Sequence, residues 1–276
     1  MEEIIKAIVL GIIQGATEFI PVSSTAHLRV IPALLGWKDI GAAYSAVIQI
    51  GTLFATLLFF KRDIFQLTRG FLRALKQKDL LSNDESRIFL LIIVGTIPIS
   101  LFGLVLKRFI EGEARGLYLI SVALIVLAII LYIAEKNSTK KKAFKDISIK
   151  DGMIIGLAQA LALIPGSSRS GVTITAGLLR GLRRDVAARY SFLLSIPAIG
   201  LSGLYELYKE RQMLLNENFT SLAIATIVSG IVGYLSIRFL ISYLKTRSNF
   251  IFIVYRILLG IIILILLSQG VLNNLD

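Results

Sequence analysis

The sequence predicts an all-α polytopic membrane protein with six transmembrane helices and two re-entrant helix hairpins, arranged as an inverted repeat. The first reason is composition, because 55% of the 276 residues are hydrophobic and only 17% are charged. Soluble domains are about 45–50% apolar and about 25% charged. The second reason is that the charged residues lie in clusters between long apolar segments. The third is that two apolar segments are each interrupted halfway by a similar Pro/Ser cluster.

Six segments are long and apolar enough to cross a bilayer, which takes about 20 mostly apolar residues. Four of the six lack Asp, Glu, Lys and Arg over all or nearly all of their length. The predicted spans are residues 41–60, 88–106, 116–134, 186–206, 219–240 and 250–268. Most of the chain is therefore expected to lie in the membrane.

Basic residues indicate the orientation, because cytoplasmic loops carry an excess of Lys and Arg. They cluster in residues 61–87, 135–151, 180–184 and 238–247, which we assign to the cytoplasm. The loops at 107–115 and 207–218 are short and balanced in charge, and we place them on the outer side. Topology and attraction to anionic membrane lipids thus explain the net charge of +12, and no nucleic-acid partner is expected.

The residue types that are missing exclude several functions. The chain has no cysteine and one histidine, His27. Without cysteine there is no thiolate catalysis, no cysteine metal site and no disulfide framework. A single imidazole also excludes two-His zinc motifs and lipid phosphatases that use two histidines.

Residues 4–38 and 152–184 are the two interrupted apolar segments. If each forms a helix, a polar turn and a second helix, it enters the bilayer and leaves on the same side. Non-helical backbone at membrane depth is tolerated only where it is buried in protein or lines a wet cavity. The two turns therefore predict a buried polar cavity.

The two segments are copies of each other. GIIQGATEFIPVSS at 11–24 aligns with GLAQALALIPGSS at 156–168 with one gap, which pairs Ser23 with Ser167 and Ser24 with Ser168. Three predicted spans separate the copies, and an odd number inverts the second copy. Hairpin 152–184 should open to the cytoplasm and hairpin 4–38 to the outside, so that the two turns meet near the midplane.

A single integral membrane domain over residues 1–276 follows from this repeat. Repeat 1 is expected at 1–134, a cytoplasmic linker at 135–151 and repeat 2 at 152–276.

The two hairpin tips carry polar side chains that suit a phosphate site. Gln14 and Glu18 lie at i, i+4 on one helix face, where two side-chain oxygens can bind a hard cation or a water. Ser23 and Ser24 are N-cap residues for the next helix, whose free N–H groups bind anions. In the second tip, Arg169 offers a fork of donors that matches phosphate oxygens. The full set is Gln14, Thr17, Glu18, Ser23, Ser24, Thr25 and His27 in the first tip, and Gln159, Ser167, Ser168, Arg169, Ser170 and Thr173 in the second.

Together the two tips describe a diphosphate pocket with one Arg, one carboxylate, several hydroxyls and one His. Other interpretations remain for single residues. Ser and Thr often serve helix packing, Glu18 and Arg169 could form a structural ion pair, and His27 could be a hydrogen-bonded core histidine. Arg256, in the last span, could pair with backbone carbonyls.

At these residues the sequence resembles the BacA-type undecaprenyl-diphosphate phosphatases of bacterial membranes. The resemblance rests on QGATEFIPVSSTAHL at 14–28, IQIGT at 48–52, PGSSRSGVT at 165–173 and SFLLSIPAIG at 191–200, and it covers essentially the whole chain. It implies hydrolysis of undecaprenyl diphosphate to undecaprenyl phosphate and inorganic phosphate. That reaction recycles the lipid carrier of cell-wall peptidoglycan synthesis and confers bacitracin resistance.

The resemblance also implies a divalent cation, Mg²⁺ or Ca²⁺, a homodimer, and a multi-pass protein of the bacterial plasma membrane whose active site faces the outer side. By residue, it implies Gln14 and Glu18 as metal ligands. Ser24, His27, Glu18 and Arg169 are the expected catalytic residues. The expected substrate-binding residues are Ser168, Arg169, Ser170 and Thr173, with Ser23 and Thr25 added from the first tip.

The sequence leaves the nucleophile open. In one mechanism Ser24 attacks the terminal phosphorus with His27 or Glu18 as base; in another His27 attacks and Ser24 donates a hydrogen bond. We favour the first, because a serine beside a base is the usual activated arrangement. The alternative function is an inverted-repeat transporter or flippase of an anionic or lipid-phosphate substrate.

Overall fold

The structure, a computed structural model, describes residues 2–37, 39, 41–209, 211 and 219–274. These residues form helices joined by short turns, and no strand occurs among them. The α-helices are α1 Glu2–Phe19, α2 Ser24–Leu34, α3 Gly41–Phe59, α4 Lys61–Lys76, α5 Asp84–Val105, α6 Lys107–Glu111, α7 Leu117–Asn137, α8 Ile149–Gln159, α9 Arg169–Leu179, α10 Arg184–Lys209, α11 Phe219–Leu244 and α12 Phe250–Ser268. The predicted all-α class is confirmed.

Six of these helices, α3, α5, α7, α10, α11 and α12, are long and apolar enough to cross a membrane. They coincide with the six predicted spans, whose ends differ from the helix ends by four residues or fewer. Most of the predicted outer loop at 207–218 lies outside the described residues. Two of the spanning helices, α10 and α11, have 26 residues each, about 39 Å at ~1.5 Å per residue, so they can extend beyond the hydrocarbon layer.

Residues 61–87, expected only as a basic cytoplasmic connection, contain helix α4. Leu67, Gly70 and Ala74 recur every three or four residues and are buried. Gly70 lies against α5, where an added Cβ would come within 2.3 Å of the Glu85 side chain. The many charges of the segment hide this narrow apolar face, because only one side of α4 needs to pack.

Each hairpin packs against a spanning helix of the other predicted repeat. Helix α1 lies along α11, where a Cβ added at Gly11 would be 2.6 Å from the Ala225 carbonyl oxygen. Helix α8 lies along α5 in the same way, and a Cβ added at Gly156 would be 2.4 Å from the Gly95 Cα. Small residues permit this close approach of backbones. The two halves of the bundle are therefore joined by an exchange of hairpins.

Polar contacts gather the connecting segments at opposite ends of the bundle. At one end Glu135 of α7 binds Arg184 at 2.5 Å and the Asn249 side chain at 2.8 Å. At the other end Arg115, just before α7, pairs with Asp39 at 2.8 Å. Helix α7 has 21 residues and separates these two groups by about 30 Å. The first end carries the segments predicted as cytoplasmic, and the second carries those predicted as outer.

The two hairpins begin and end at opposite ends of the bundle. Lys6 of α1 lies over the ring of Trp37, which follows α2, at 5.7 Å from its centroid, so the first hairpin closes at the Asp39 end. The second hairpin closes at the basic end, where Asp151 of α8 accepts a hydrogen bond of 2.8 Å from Arg180. Re-entry into a bilayer stays a prediction, and this geometry is the one that it requires.

Asp151 ties the second hairpin to the basic surface. Its side chain is fully buried and accepts hydrogen bonds from Lys142 Nζ and Arg180 Nε, each at 2.8 Å, and from the Ser148 amide at 3.0 Å. Burial raises the pKa of Asp151, but the bonds from Lys142, Ser148 and Arg180 outweigh it and lower the pKa to about 2. The carboxylate is therefore charged over the whole physiological pH range.

Candidate active site

Both hairpin tips end in an N-cap serine with the same unusual backbone. Ser23 caps α2 with φ 75° and Ser168 caps α9 with φ 66°. Each hydroxyl accepts the amide N–H of the residue three positions later, Ala26 at 3.3 Å and Gly171 at 3.2 Å. A serine at positive φ is strained, and strain of this kind is concentrated at functional sites.

The structure corrects the alignment of the two tips by one residue. The predicted pairing of Ser23 with Ser167 and of Ser24 with Ser168 is wrong, because the caps are Ser23 and Ser168. The second tip has one more residue between Pro165 and its cap than the first tip has after Pro21, and this residue closes the alignment gap. In the corrected register, Ser24 of the first tip corresponds to Arg169 of the second.

The caps leave unpaired backbone donors at both tips. In the described structure the N–H groups of Ser24 and Thr25, and those of Arg169 and Ser170, have no hydrogen-bond partner. The first amides of a helix have no partner within the helix, and together with the helix dipole they bind anions. Two such helix starts in one place form a cradle for two phosphate groups.

Glu18 is the centre of the contacts between the tips. Its Oε2 accepts hydrogen bonds from the Gln14 amide at 2.8 Å and from the Ser24 hydroxyl at 3.0 Å. Its Oε1 accepts a bond of 2.9 Å from Arg169 Nη2 of the other hairpin. Arg169 Nη1 is bound to the Ser191 carbonyl oxygen at 3.2 Å, which fixes the plane of the guanidinium. The ion pair envisaged from the sequence is present, and it joins the two tips directly.

A cavity of about 530 Å3 opens next to this ion pair. Its polar lining comes from both tips and from the middle of α3: Glu18, Ser23, Ser24, Thr25, Gln49, Ser167, Ser168 and Arg169. Its other walls are mainly apolar side chains of α5 and α10, such as Ile99, Leu104 and Leu201. The cavity therefore has a polar surface that can bind anions and an apolar surface that can accept a lipid chain. A lipid phosphate needs both.

The far end of the cavity lies at the end of the bundle predicted to face outward. Lys107, just after α5, lies 2.5 Å from Glu206 of α10 and 4.2 Å from the centroid of the Tyr205 ring. No signal in the sequence joined these residues to the site, because Lys107 and Glu206 are 99 positions apart in the chain.

Six residues of the predicted set do not line the cavity: Gln14, Thr17, His27, Gln159, Ser170 and Thr173. Gln14 is fully buried and donates to Glu18, and His27 is buried. Ser170 and Thr173 are fully buried within the second tip. The Thr173 hydroxyl is bound to the Arg169 carbonyl oxygen at 2.8 Å and to the Ser191 hydroxyl at 2.6 Å, so that it braces the tip.

His27 is held by both ring nitrogens. Nδ1 lies 2.7 Å from the Ser23 carbonyl oxygen, and Nε2 lies 2.7 Å from the hydroxyl of Tyr255 in α12. Arg256, the next residue of α12, donates from Nη2 to the Ser167 carbonyl oxygen at 2.9 Å. Contact of Arg256 with backbone carbonyls was one interpretation of the sequence. The contact of Tyr255 with His27 was not predicted, because the two residues lie 228 positions apart in the chain.

The donor set at Gln14 and Glu18 fits a hard divalent cation. Gln14 Oε1 is buried without a hydrogen-bond partner, and Nε2 of the same amide donates to the Glu18 carboxylate. Carboxylate and amide oxygens are the ligands that Mg²⁺ and Ca²⁺ use. Among the described residues no cluster of three acidic or His side chains occurs, so the remaining ligands would be phosphate oxygens of the substrate and water.

A match to a family model identifies the family of the chain. The model, described as "Bacitracin resistance protein BacA", matches residues 7–262. The chain belongs to the BacA family. A relative from Chlorobium phaeobacteroides (strain BS1), named undecaprenyl-diphosphatase, is 52% identical over 97% of this chain and 98% of its own length.

Two further relatives carry the same name. The one from Myxococcus xanthus (strain DK1622) is 49% identical over 99% of this chain and 92% of its own length. The one from Chlorobaculum tepidum is 50% identical over 96% and 97% of the two chains. This BacA protein therefore resembles proteins of that name from one end to the other, including both tips.

Proposed function

We propose that this BacA protein hydrolyses undecaprenyl diphosphate to undecaprenyl phosphate and inorganic phosphate in the cavity between the two tips. The contact that carries the proposal is the hydrogen bond of 3.0 Å from the Ser24 hydroxyl to Glu18, whose carboxylate also binds Arg169. A serine hydroxyl held against a carboxylate is a nucleophile beside its base. The names of the relatives supply the substrate.

The reaction would proceed in two displacements. Ser24 Oγ attacks the terminal phosphorus while its proton moves to Glu18 Oε2, and the bond from that phosphorus to the bridging oxygen breaks. Undecaprenyl phosphate leaves, and the phosphoryl group stays on Ser24. A water molecule then attacks the same phosphorus, the bond from that phosphorus to Ser24 Oγ breaks, and Oγ takes back the proton held by Glu18. Inorganic phosphate is released with the two hydrogens of the water, and Glu18 is again a carboxylate. The free amides of both tips and Arg169 stabilise the charge of the transferred group throughout.

A divalent cation held by Glu18 and Gln14 would add neutralisation of the diphosphate charge when it is bound. The rest of the electrostatic stabilisation comes from the protein itself. Arg169 retains donors that face the cavity besides the two that are engaged, and the helix starts at Ser24 and Arg169 provide unpaired N–H groups.

The geometry supports Ser24 rather than His27 as the nucleophile. Both ring nitrogens of His27 are engaged, by the Ser23 carbonyl and by Tyr255, and the ring does not line the cavity. Ser24 lines the cavity and already contacts its base. We therefore assign His27 a supporting place beside Ser24.

We also propose that the site faces the outer side of the bacterial plasma membrane. The cavity extends to Lys107 and Glu206, at the end of the bundle opposite the basic segments. Undecaprenyl phosphate released there would serve as recycled carrier for peptidoglycan synthesis, with bacitracin resistance as the consequence. The homodimer that the resemblance implies stays a prediction.

A transporter or flippase with the same inverted repeat needs binding groups only. The placement of Ser24, Glu18 and Arg169 in one cavity favours hydrolysis, because transport needs no nucleophile beside a base.

Phosphate release from undecaprenyl diphosphate by the purified protein tests the proposal, with and without a metal chelator. We expect release that requires divalent metal and falls by at least ~10³-fold in Ser24→Ala. Ser236→Ala is the matched control, because the Ser236 hydroxyl only bonds the Val232 carbonyl within α11.

Absence of release from the wild-type protein in any metal would refute hydrolysis and favour the transporter. Full activity of Ser24→Ala would instead remove Ser24 as nucleophile while leaving the reaction in place.

A further inference from the structure

We propose that Tyr255 and Arg256, consecutive residues of α12, are positioning residues that hold the two hairpin tips in register. Tyr255 fixes the His27 ring of the first tip, and Arg256 fixes a peptide group of the second. The kinetic part of this inference rests on the proposed hydrolysis, whereas its spectroscopic part does not.

The contacts of His27 determine where its proton lies. Nδ1 is 2.7 Å from the Ser23 carbonyl oxygen, which can only accept, so Nδ1 carries the hydrogen. In the neutral ring Nε2 is then an acceptor, and the Tyr255 hydroxyl at 2.7 Å must donate to it. The two rings are nearly parallel, with an angle of 4° between their planes. Tyr255 therefore sets both the tautomer and the orientation of the imidazole next to Ser24.

Arg256 is a cation without a carboxylate partner in the described structure. Its side chain is fully buried, and its Nε and Nη1 atoms have no hydrogen-bond partner. Its Nη2 donates to the Ser167 carbonyl oxygen at 2.9 Å and approaches that of Gly166 at 3.5 Å. A buried charge in a membrane protein is costly and therefore marks a functional position. The backbone of the second tip is what Arg256 contacts.

The direction of the Ser167 carbonyl decides the direction of the next amide. In a trans peptide the C=O of one residue and the N–H of the next point to opposite sides of the chain. Because Arg256 holds the Ser167 oxygen on its own side, the Ser168 N–H is turned away from Arg256. Ser168 lines the cavity. The Ser168 N–H, like those of Arg169 and Ser170, has no hydrogen-bond partner in the described structure, and Arg256 thus orients this further donor at the positive-φ cap.

Gly171 supports this assignment independently. A Cβ added at Gly171 would lie 2.7 Å from Arg256 Nη1 and 3.1 Å from the Ser168 Cβ. The guanidinium occupies the space behind the cap, so a side chain at position 171 would displace it. Neighbouring side chains of one rigid helix then hold both tips, so α12 sets the distance between the reactive and the binding groups.

The single histidine makes the first half of the proposal directly measurable. In protein labelled with 15N-histidine, the spectrum reports His27 alone. We expect a protonated Nδ1 and a hydrogen-bonded Nε2 in the wild type, and a Nε2 resonance shifted downfield in Tyr255→Phe. Tyr132→Phe, which removes a hydroxyl from α7, is the control and should leave the spectrum unchanged. A wild-type ring protonated on Nε2, or identical spectra for wild type and Tyr255→Phe, would overturn the role of Tyr255.

Values of kcat and KM distinguish the specific effects of the two substitutions from a general loss of structure. Tyr255→Phe should lower kcat with little change in KM, because it disturbs the tip with the reactive groups. Arg256→Lys should raise KM more than it lowers kcat, because it disturbs the tip that binds phosphate. We expect kcat in Tyr255→Phe and KM in Arg256→Lys to change by ~10- to 100-fold, because displacing a tip by about 1 Å is enough for an effect of this size. Equal changes of kcat and KM in both variants would overturn the division of roles.

A suppressor experiment tests the contact between Gly171 and the Arg256 guanidinium by a gain of activity, which a general loss of structure cannot produce. Gly171→Ala should reduce activity by ~10- to 100-fold, since its Cβ collides with Nη1. The shorter head group of Lys removes the collision, so Gly171→Ala with Arg256→Lys should recover at least about tenfold. A double variant no better than Gly171→Ala would refute the contact. If the wild type releases no phosphate, the proposed function fails, but the His27 spectra still decide the role of Tyr255.

Discussion

The two hairpin tips share a backbone and differ in chemistry. Both end in a serine N-cap at positive φ, and both present two unpaired amides from the helix that follows. In the corrected register, the first residue of the helix is Ser24 in one tip and Arg169 in the other. One tip therefore places a hydroxyl against a carboxylate, the pair that we propose as nucleophile and base, and the other provides a guanidinium.

This difference shows how a repeated element can make an active site. The duplicated backbone supplies two anion cradles, one for each phosphate of a diphosphate. Inversion brings the cradles together in one cavity instead of placing them on opposite surfaces. The two tips share this backbone but carry different side chains, so we propose the reaction for the first tip and phosphate binding for the second.

The largest expected effect is on the tip with the reactive groups. Glu18→Gln should reduce kcat by about 10²–10⁴-fold, because an amide cannot accept the Ser24 proton. Glu206→Gln is the control, since it makes the same substitution at the far end of the same cavity. Initial rates of phosphate release over a range of substrate concentrations measure both. A kcat of Glu18→Gln near that of wild type would mean that the base lies elsewhere.

The link between the tips should appear as an energetic coupling. Arg169→Gln leaves Glu18 buried without its partner and should destabilise the protein by about 3–5 kcal/mol. The double variant Glu18→Gln with Arg169→Gln should lose less than the sum of the single losses, because no unpaired charge remains. Reversible denaturation in detergent micelles gives the four free energies of unfolding. Additive losses would contradict a direct coupling of the tips.

The closure of the second hairpin should depend on acid through Asp151. The pKa of Asp151 is lowered to about 2 in the folded protein. A lowered pKa stabilises the folded state above the ordinary pKa near 4, and this stabilisation is lost as the pH falls toward 2.

We expect a loss of about 1–2 kcal/mol over that range, since Lys142 and Arg180 are partly solvated. Asp151→Asn should lack this part of the acid dependence. Free energies of unfolding measured between pH 6 and pH 2 test it, with Asp185→Asn as the control on the same surface. An unchanged pH profile in Asp151→Asn would refute the assignment.

The smallest expected effect concerns the strained caps and should be the same in both tips. Ser23→Ala and Ser168→Ala lose the cap hydrogen bond and keep a side chain at positive φ. The glycine variants lose the same bond but adopt positive φ freely, so each should be about 1 kcal/mol more stable than the alanine variant. Thermal unfolding of the four variants measures this. A preference for glycine at one tip only would show that the two backbones are not equivalent.

Much of the fold could be predicted because membrane constraints act on long segments. Apolar length predicted all six spans, and the Pro/Ser interruptions predicted the two hairpins and their meeting point. The contact of Glu18 with Arg169 was also within reach, since each is the charged residue of its tip. Helix α4 was missed because its buried face consists of few residues among many charges.

The remaining errors concern side-chain direction and distant pairs. Local spacing cannot tell that Thr173 turns back to brace its own tip while Ser168 faces the cavity. The caps were shifted by one residue because a gap within a turn carries no periodic signal. Tyr255 meets His27 only through the packing of α12, which a single sequence does not reveal.

The exchange of hairpins between the two halves sets the order in which the chain can be assembled. Helix α1 is synthesised first, yet the groove that receives Gly11 and Gly15 belongs to α11, which begins at Phe219. At ~5–20 residues per second, ~10–40 s of translation separate the two helices. During that interval the first hairpin lacks α11, its main packing partner, and has mainly its contacts with α3 and α7. The active site is therefore completed only when the last third of the chain has entered the membrane.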